Sequence, residues 1–176
     1  MRRHYPDGPI EAPGLVEFNT QVPLVRLGAT ITLKILTRNF TEKTLTCVET
    51  PHGLKIDWES WAGWSEVPWS EFIASKPTTS QVFRLMLGPA DYYNIGFSND
   101  IKWQSYRLTS PDGSHVLYGY AERGTPLNAK LRPPPETPQT ALILALKFPE
   151  HAASSNQVVI ENCLADSWLL DPETPR

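Results

Sequence analysis

The sequence predicts an all-β chain: one antiparallel β-sandwich of jelly-roll or immunoglobulin-like type, with an extended N-terminal arm and at most one short helix. Three observations carry that expectation. Short apolar/polar alternations recur along 176 residues, the mark of strands that bury one face. Turn-forming clusters punctuate them every 8–12 residues, a spacing typical of sandwiches. Seventeen prolines are present, and proline both breaks helix interiors and cannot donate to a strand ladder, so short extended segments are favoured. We read residues 1–23 as the arm, 24–171 as a single sandwich domain and 172–176 as a polar tail.

The arm contains Pro6, Pro9, Pro13 and Pro23 with Gly8 and Gly14, which exclude a helix and leave little to bury. Alternation starts after it. In Ala29 to Arg38, Ile31, Leu33 and Ile35 point one way and Thr30, Thr32 and Lys34 the other. Lys43 to Glu49 repeats this through Leu45 and Cys47, and Leu54 to Trp58 reads as a further short strand. Pro68 is placed to open a helix within Ser65 to Ser75, with Trp69, Phe72 and Ile73 on one face. Gln81 to Leu87 is apolar on nearly both faces, as a central strand is, and Tyr92 to Phe97 reads as the next strand. Ile101 to Thr109 and His115 to Ala121 form a hairpin across Ser110-Pro-Asp-Gly-Ser114, where proline presets one φ and glycine takes a positive one. Thr125 to Thr140 reads as a stiff, exposed, proline-rich connection. Thr140 to Phe148 and Gln157 to Ala165 supply the closing strands.

Function is less legible than fold. Net charge is −3 with a pI near 5.8, and the densest basic spot is Arg2-Arg3-His4, so nucleic acid is an improbable partner. No apolar run reaches the length of a membrane span. The basic start lacks the apolar region of a signal peptide, which points to an intracellular or virion-associated protein. On that reading Cys47 and Cys163 are free buried thiols, and the Asn39-Phe40-Thr41 triplet is an accidental glycosylation match. The histidines and cysteines are too scattered for a metal site, and the sequence holds no phosphate loop, nucleophile elbow or dinucleotide fingerprint. No cofactor is implied.

Two aromatic groups stand out. Trp58, Trp61, Trp64 and Trp69 lie in one short run interleaved with Glu59, Glu66 and Glu71, which suits either a lid folded onto the domain or a partner surface. A belt of Tyr92, Tyr93, Phe97, Trp103, Tyr106, Tyr118 and Tyr120 suits a packed core or a platform for sugar rings. Trp58, Trp61, Trp64, Trp69, Tyr92 and Tyr93 are thus the candidate binding residues. Asp57 and Glu59 beside tryptophans also admit a glycoside hydrolase, provided the strand continues and projects both carboxylates from one face. The leading expectation is a non-enzymatic structural or interaction protein, a subunit of a larger homo- or hetero-oligomeric assembly such as a viral capsid or particle. A recognition module for a glycan or a protein partner is the alternative, and the hydrolase the second alternative.

Overall fold

The computed structural model describes residues 14–18, 25–132 and 138–170. The chain is mostly β, as expected. It divides into two compact units, Met1–Trp64 and Ser65–Arg176. The strands form an open five-stranded sheet and a closed five-stranded barrel.

The first unit holds β1 (Leu15–Phe18), β2 (Val25–Leu27), β3 (Thr30–Thr37), β4 (Glu42–Thr50) and β5 (Gly53–Ile56). Their order is β1-β3-β4-β5, with β2 also on β3, and every pairing is antiparallel. Register follows the alternation of the sequence. Ile31 opposes Cys47, Leu33 opposes Leu45, and Cys47 in turn opposes Ile56. Directly opposed residues share a face, so Ile31, Leu33, Ile35, Leu45, Cys47, Leu54 and Ile56 make one apolar face. The arm expected over 1–23 is corrected at Leu15–Phe18, which is a strand paired with β3. Apart from Gly14, the other arm residues lie outside the described ones, as does the expected tail.

The strand expected over Leu54 to Trp58 stops at Ile56. Asp57, in an extended conformation, becomes the N-cap of helix α1 (Trp58–Ala62), and Gly63 ends it at φ 58°, where a side chain would be strained. Glu59 sits in the first turn, where the helix dipole favours an anion.

The second unit is the barrel. Helix α2 (Trp69–Ser75) begins directly after Pro68, as expected. It is followed by β6 (Gln81–Pro89), β7 (Trp103–Thr109), β8 (Val116–Glu122), helix α3 (Pro126–Lys130), β9 (Thr140–Lys147) and β10 (Gln157–Ala165). β6, β7 and β8 run as an antiparallel meander. β9 pairs with the far edge of β6 and β10 with β9, both antiparallel, and β10 closes the ring by lying parallel to β8. Closure removes both sheet edges.

One parity of each strand fills the interior: Phe83, Leu85 and Leu87; Tyr106 and Leu108; Leu117 and Ala121; Leu142, Leu144 and Leu146; Val158 and Ile160. Gly119 shares that parity, and a Cβ there would lie 2.6 Å from Leu108 Cδ1 and 2.9 Å from an Ile160 side-chain carbon. The narrow barrel has room for nothing larger at this level. Phe72 of α2 stoppers one end against Phe83 and Phe148, ring centroids 4.7 and 5.0 Å apart. Tyr106 donates its hydroxyl to Asn128 Oδ1 of α3 at 2.7 Å, and burial pushes its phenol up to about 12. Arg84, on the outer side of β6, is 1 % exposed and donates through Nε to the Trp168 carbonyl at 2.9 Å, while Trp168 Nε1 donates back to the Leu85 carbonyl at 3.0 Å.

Other expectations need correction. Tyr92 to Phe97 is a loop ending in a 3-10 turn (Ile95–Phe97) rather than a strand, because both edges of β6 are already occupied by β7 and β9. The proline-rich stretch after Thr125 contains α3, in which Thr125 Oγ1 accepts from Asn128 N at 3.2 Å and Pro126 opens the first turn. Residues 133–137 lie outside the described ones. Among the described residues three short α-helices therefore stand where at most one was expected. The Ser110–Ser114 hairpin is as read, with Gly113 at φ 74°. Cys47 and Cys163 are free thiols, both half-buried, and burial raises the pKa of Cys163.

Candidate functional site

The tryptophan run divides between the two units. Trp58 and Trp61 are on α1 and Trp64 follows it; all three are half-buried members of the first unit. Lys43 Nζ stands 4.9 Å from the Trp61 ring centre, a cation over an aromatic face. Trp69 belongs to the barrel unit and is 8 % exposed, edge-on to Phe83 at 4.9 Å and stacked beside His115. It is core, and its indole Nε1 has no hydrogen-bond partner among the described residues. The carboxylates of Asp57 and Glu59 do not continue a strand, since the chain turns into α1 between them.

The aromatic belt is better organised. β7, β8 and β10 turn Trp103, Ser105, Tyr118, Tyr120, Gln157 and Val159 outward, the parity opposite to the core. The β6–β7 loop folds back over this outer face. Tyr92 stacks on Tyr118 at 4.0 Å, and Phe97 stacks on Tyr120 at 3.9 Å with rings only 3° from parallel. Phe97 also meets the Trp103 ring edge-on at 5.2 Å. Hydrogen bonds fix the loop: Tyr120 donates to the Tyr92 carbonyl at 2.7 Å, and Gln157 Nε2 donates to Asn94 Oδ1 at 2.7 Å and to Tyr120 Oη at 2.9 Å. Tyr93 Oη accepts from Ser105 N and from Arg123 Nη2. Tyr92 and Tyr93 are therefore half-buried fasteners of the loop. Most of the belt is packed on itself.

Beside that loop lies a cavity of about 300 Å³, within the second unit. One wall is the β6–β7 loop at Ile95, Gly96 and Phe97, with Trp103 next to it. The other is the β9–β10 loop at 149–154, and Gln157 and Val159 of β10 complete the lining. Two residues on these opposed loops hold positive φ without being glycine: Ile95 at 51° and His151 at 58°. For a β-branched residue that is an uncommon, strained conformation, and such strain gathers at ligand clamps. The sequence singled out Phe97 and Trp103 only as belt members. Nothing in the sequence pointed to Ile95 or to the 149–154 loop, because the cavity exists only once the β6–β7 loop folds back over the outer face of the barrel toward the β9–β10 loop.

Among the described residues no group of three His, Cys, Asp or Glu side chains converges to hold a metal ion, and no helix is long and apolar enough to cross a membrane. Compared with protein-family models, with characterised proteins and with solved structures, the chain matches none of them.

Proposed function

We propose that this protein is a non-enzymatic subunit of a larger protein assembly, the kind of role a coat or particle protein fills, and that the sheet of the first unit is its contact surface. The observation that supports this reading is the unequal burial of apolar residues. Ile35 is the one buried apolar side chain among the described residues of the first unit, whereas Val16, Val25, Phe40, Leu54 and Ile56 are each more than half exposed. A sheet is stable when one face is covered by another layer. Here the apolar face ends at the edge strand β5 with Leu54 and Ile56 at 56 % and 57 % exposure. Edge strands that carry apolar side chains offer both unpaired backbone and hydrophobic area to a partner. The self-packed aromatic belt and a core-bound Trp69 shift the interface from the aromatics to this sheet.

The test is the double substitution Leu54→Lys, Ile56→Lys, followed by sedimentation velocity and chemical unfolding. The wild-type protein, alone or with its partner chains, should sediment as a species larger than the monomer, and the variant as a smaller one. The unfolding free energy should move by less than about 1 kcal/mol, since both side chains are already largely in water. A wild-type protein that is monomeric at high concentration and yields no larger complex would overturn the proposal.

A further inference from the structure

We propose that the cavity between the β6–β7 and β9–β10 loops binds one uncharged, hydroxyl-bearing ring, a single sugar residue of a glycan; this does not rest on the assembly reading. The size comes first. About 300 Å³ is the lower end of the range that holds small molecules, about 300–1,000 Å³, so the site takes one ring rather than an extended chain.

The chemistry of the walls selects among ring-sized ligands. Phe97, Trp103 and Val159 give it an apolar side with aromatic surface, and Glu150, His151 and Gln157 bring polar groups to the same lining. A pyranose has that division: an apolar C–H face and a rim of hydroxyls that both donate and accept. Glu150 and His151 are exposed at the mouth. Gln157 is 3 % exposed, and its Nε2 is committed to Asn94 and Tyr120. That fixes the amide and leaves Oε1 as the acceptor the residue still has to offer.

Charge excludes the main rivals. No lysine or arginine lines the cavity, and a carboxylate does, so phosphate-bearing or carboxylate ligands meet repulsion with no counter-ion. A cationic ring would suit Glu150, but Lys102 Nζ, 5.0 Å from the Trp103 ring centre, sets a like charge beside the aromatic wall. The neutral ring remains.

The walls are also held ready. Phe97 is clamped between Tyr120 and Trp103, and Phe97 N donates to the Asn94 carbonyl at 3.0 Å across the strained Ile95. A pre-formed wall loses little freedom on binding, which helps a small ligand of few contacts.

The experiment is saturation-transfer NMR and intrinsic tryptophan fluorescence on the full chain. The probes are glucose, galactose, mannose and N-acetylglucosamine, with choline and AMP as the cationic and phosphate-bearing comparisons. At least one sugar should bind saturably in the millimolar range while choline and AMP do not. Ala153→Trp fills the cavity from an exposed position and should abolish that signal with the fold retained by circular dichroism. Glu150→Gln, which keeps hydrogen bonding but removes charge, should change sugar affinity by less than about threefold. The proposal is overturned by no sugar binding at solubility-limited concentration, by sugar binding that survives Ala153→Trp, or by choline binding lost in Glu150→Gln. AMP binding in place of sugar overturns it equally.

Discussion

At the scale of single residues, the four clustered tryptophans show that sequence proximity and structural role separate. Trp69 is buried against Phe83 while Trp61 is half-exposed under Lys43. Truncating each therefore has different consequences. Trp69→Ala should cost about 3–5 kcal/mol of unfolding free energy, the range for large aromatic-to-alanine changes in a core. Trp61→Ala should cost clearly less, since it forfeits partial burial and a cation–π contact of roughly 0.5–1 kcal/mol. Urea unfolding of the two variants checks the order, and equal losses would show that Trp69 is not a core residue. The chemistry of these side chains was legible in the sequence, their neighbours were not. Alternation cannot report which side of a unit boundary a tryptophan falls on.

At the scale of elements, legibility followed the locality of the signal. The β7–β8 hairpin was readable because its turn is chemically self-sufficient. Asp112 Oδ1 accepts from Ser110 Oγ at 2.5 Å and Ser114 N at 3.1 Å, and Oδ2 accepts from Ser114 Oγ at 2.7 Å. Helix α1 was missed although Asp57 and Gly63 punctuate it, because the alternation of Leu54 to Trp58 outweighed the caps. Helix α3 was missed because the prolines beyond it masked the Thr125-Pro126 start. Tyr92 to Phe97 alternates like a strand but finds no free edge, and no local pattern encodes that. The hairpin carries a pH prediction. The hydroxyls of Ser110 and Ser114 hold the Asp112 carboxyl down to about 2, below an ordinary value of 3.8. A depressed carboxyl stabilises the fold above the ordinary value, and that contribution is lost as pH falls from about 4 through about 2. Asp112→Asn should thus melt below wild type near neutral pH by a small, salt-sensitive margin, since the group is exposed. The margin should shrink steeply toward pH 2 and vanish below it. A margin that persists there would mean the carboxylate charge is not what fixes the turn.

At the scale of the whole molecule, the β content was legible and the closure was not. Alternation tells which face of a strand is apolar, yet a sandwich and a barrel bury the same faces. What separates them is pairing between distant strands, here β6 with β9 and β10 with β8. Those pairs also create the cavity, so the candidate site was hidden for the same reason as the fold. Burial then divides the chain. Residues 65–176 hold the interior of the barrel with its stoppering helix and no open edge. Residues 1–64 hold a sheet with Ile35 as its buried apolar residue among those described. Each fully buried large apolar side chain contributes about 1.5–3 kcal/mol, so a fragment of residues 65–176 should fold alone with cooperative unfolding and a native near-ultraviolet dichroism. The fragment of residues 1–64 should lack fixed tertiary structure until a partner covers its apolar face, because a sheet whose apolar face is only partly buried does not offset the entropy of ordering its strands. Expressing the two pieces separately and comparing their thermal transitions checks both halves. A barrel fragment that unfolds without cooperativity would show that its core is incomplete without the first unit. A first-unit fragment that melts cooperatively as a monomer would remove the physical reason for placing the assembly surface on β5.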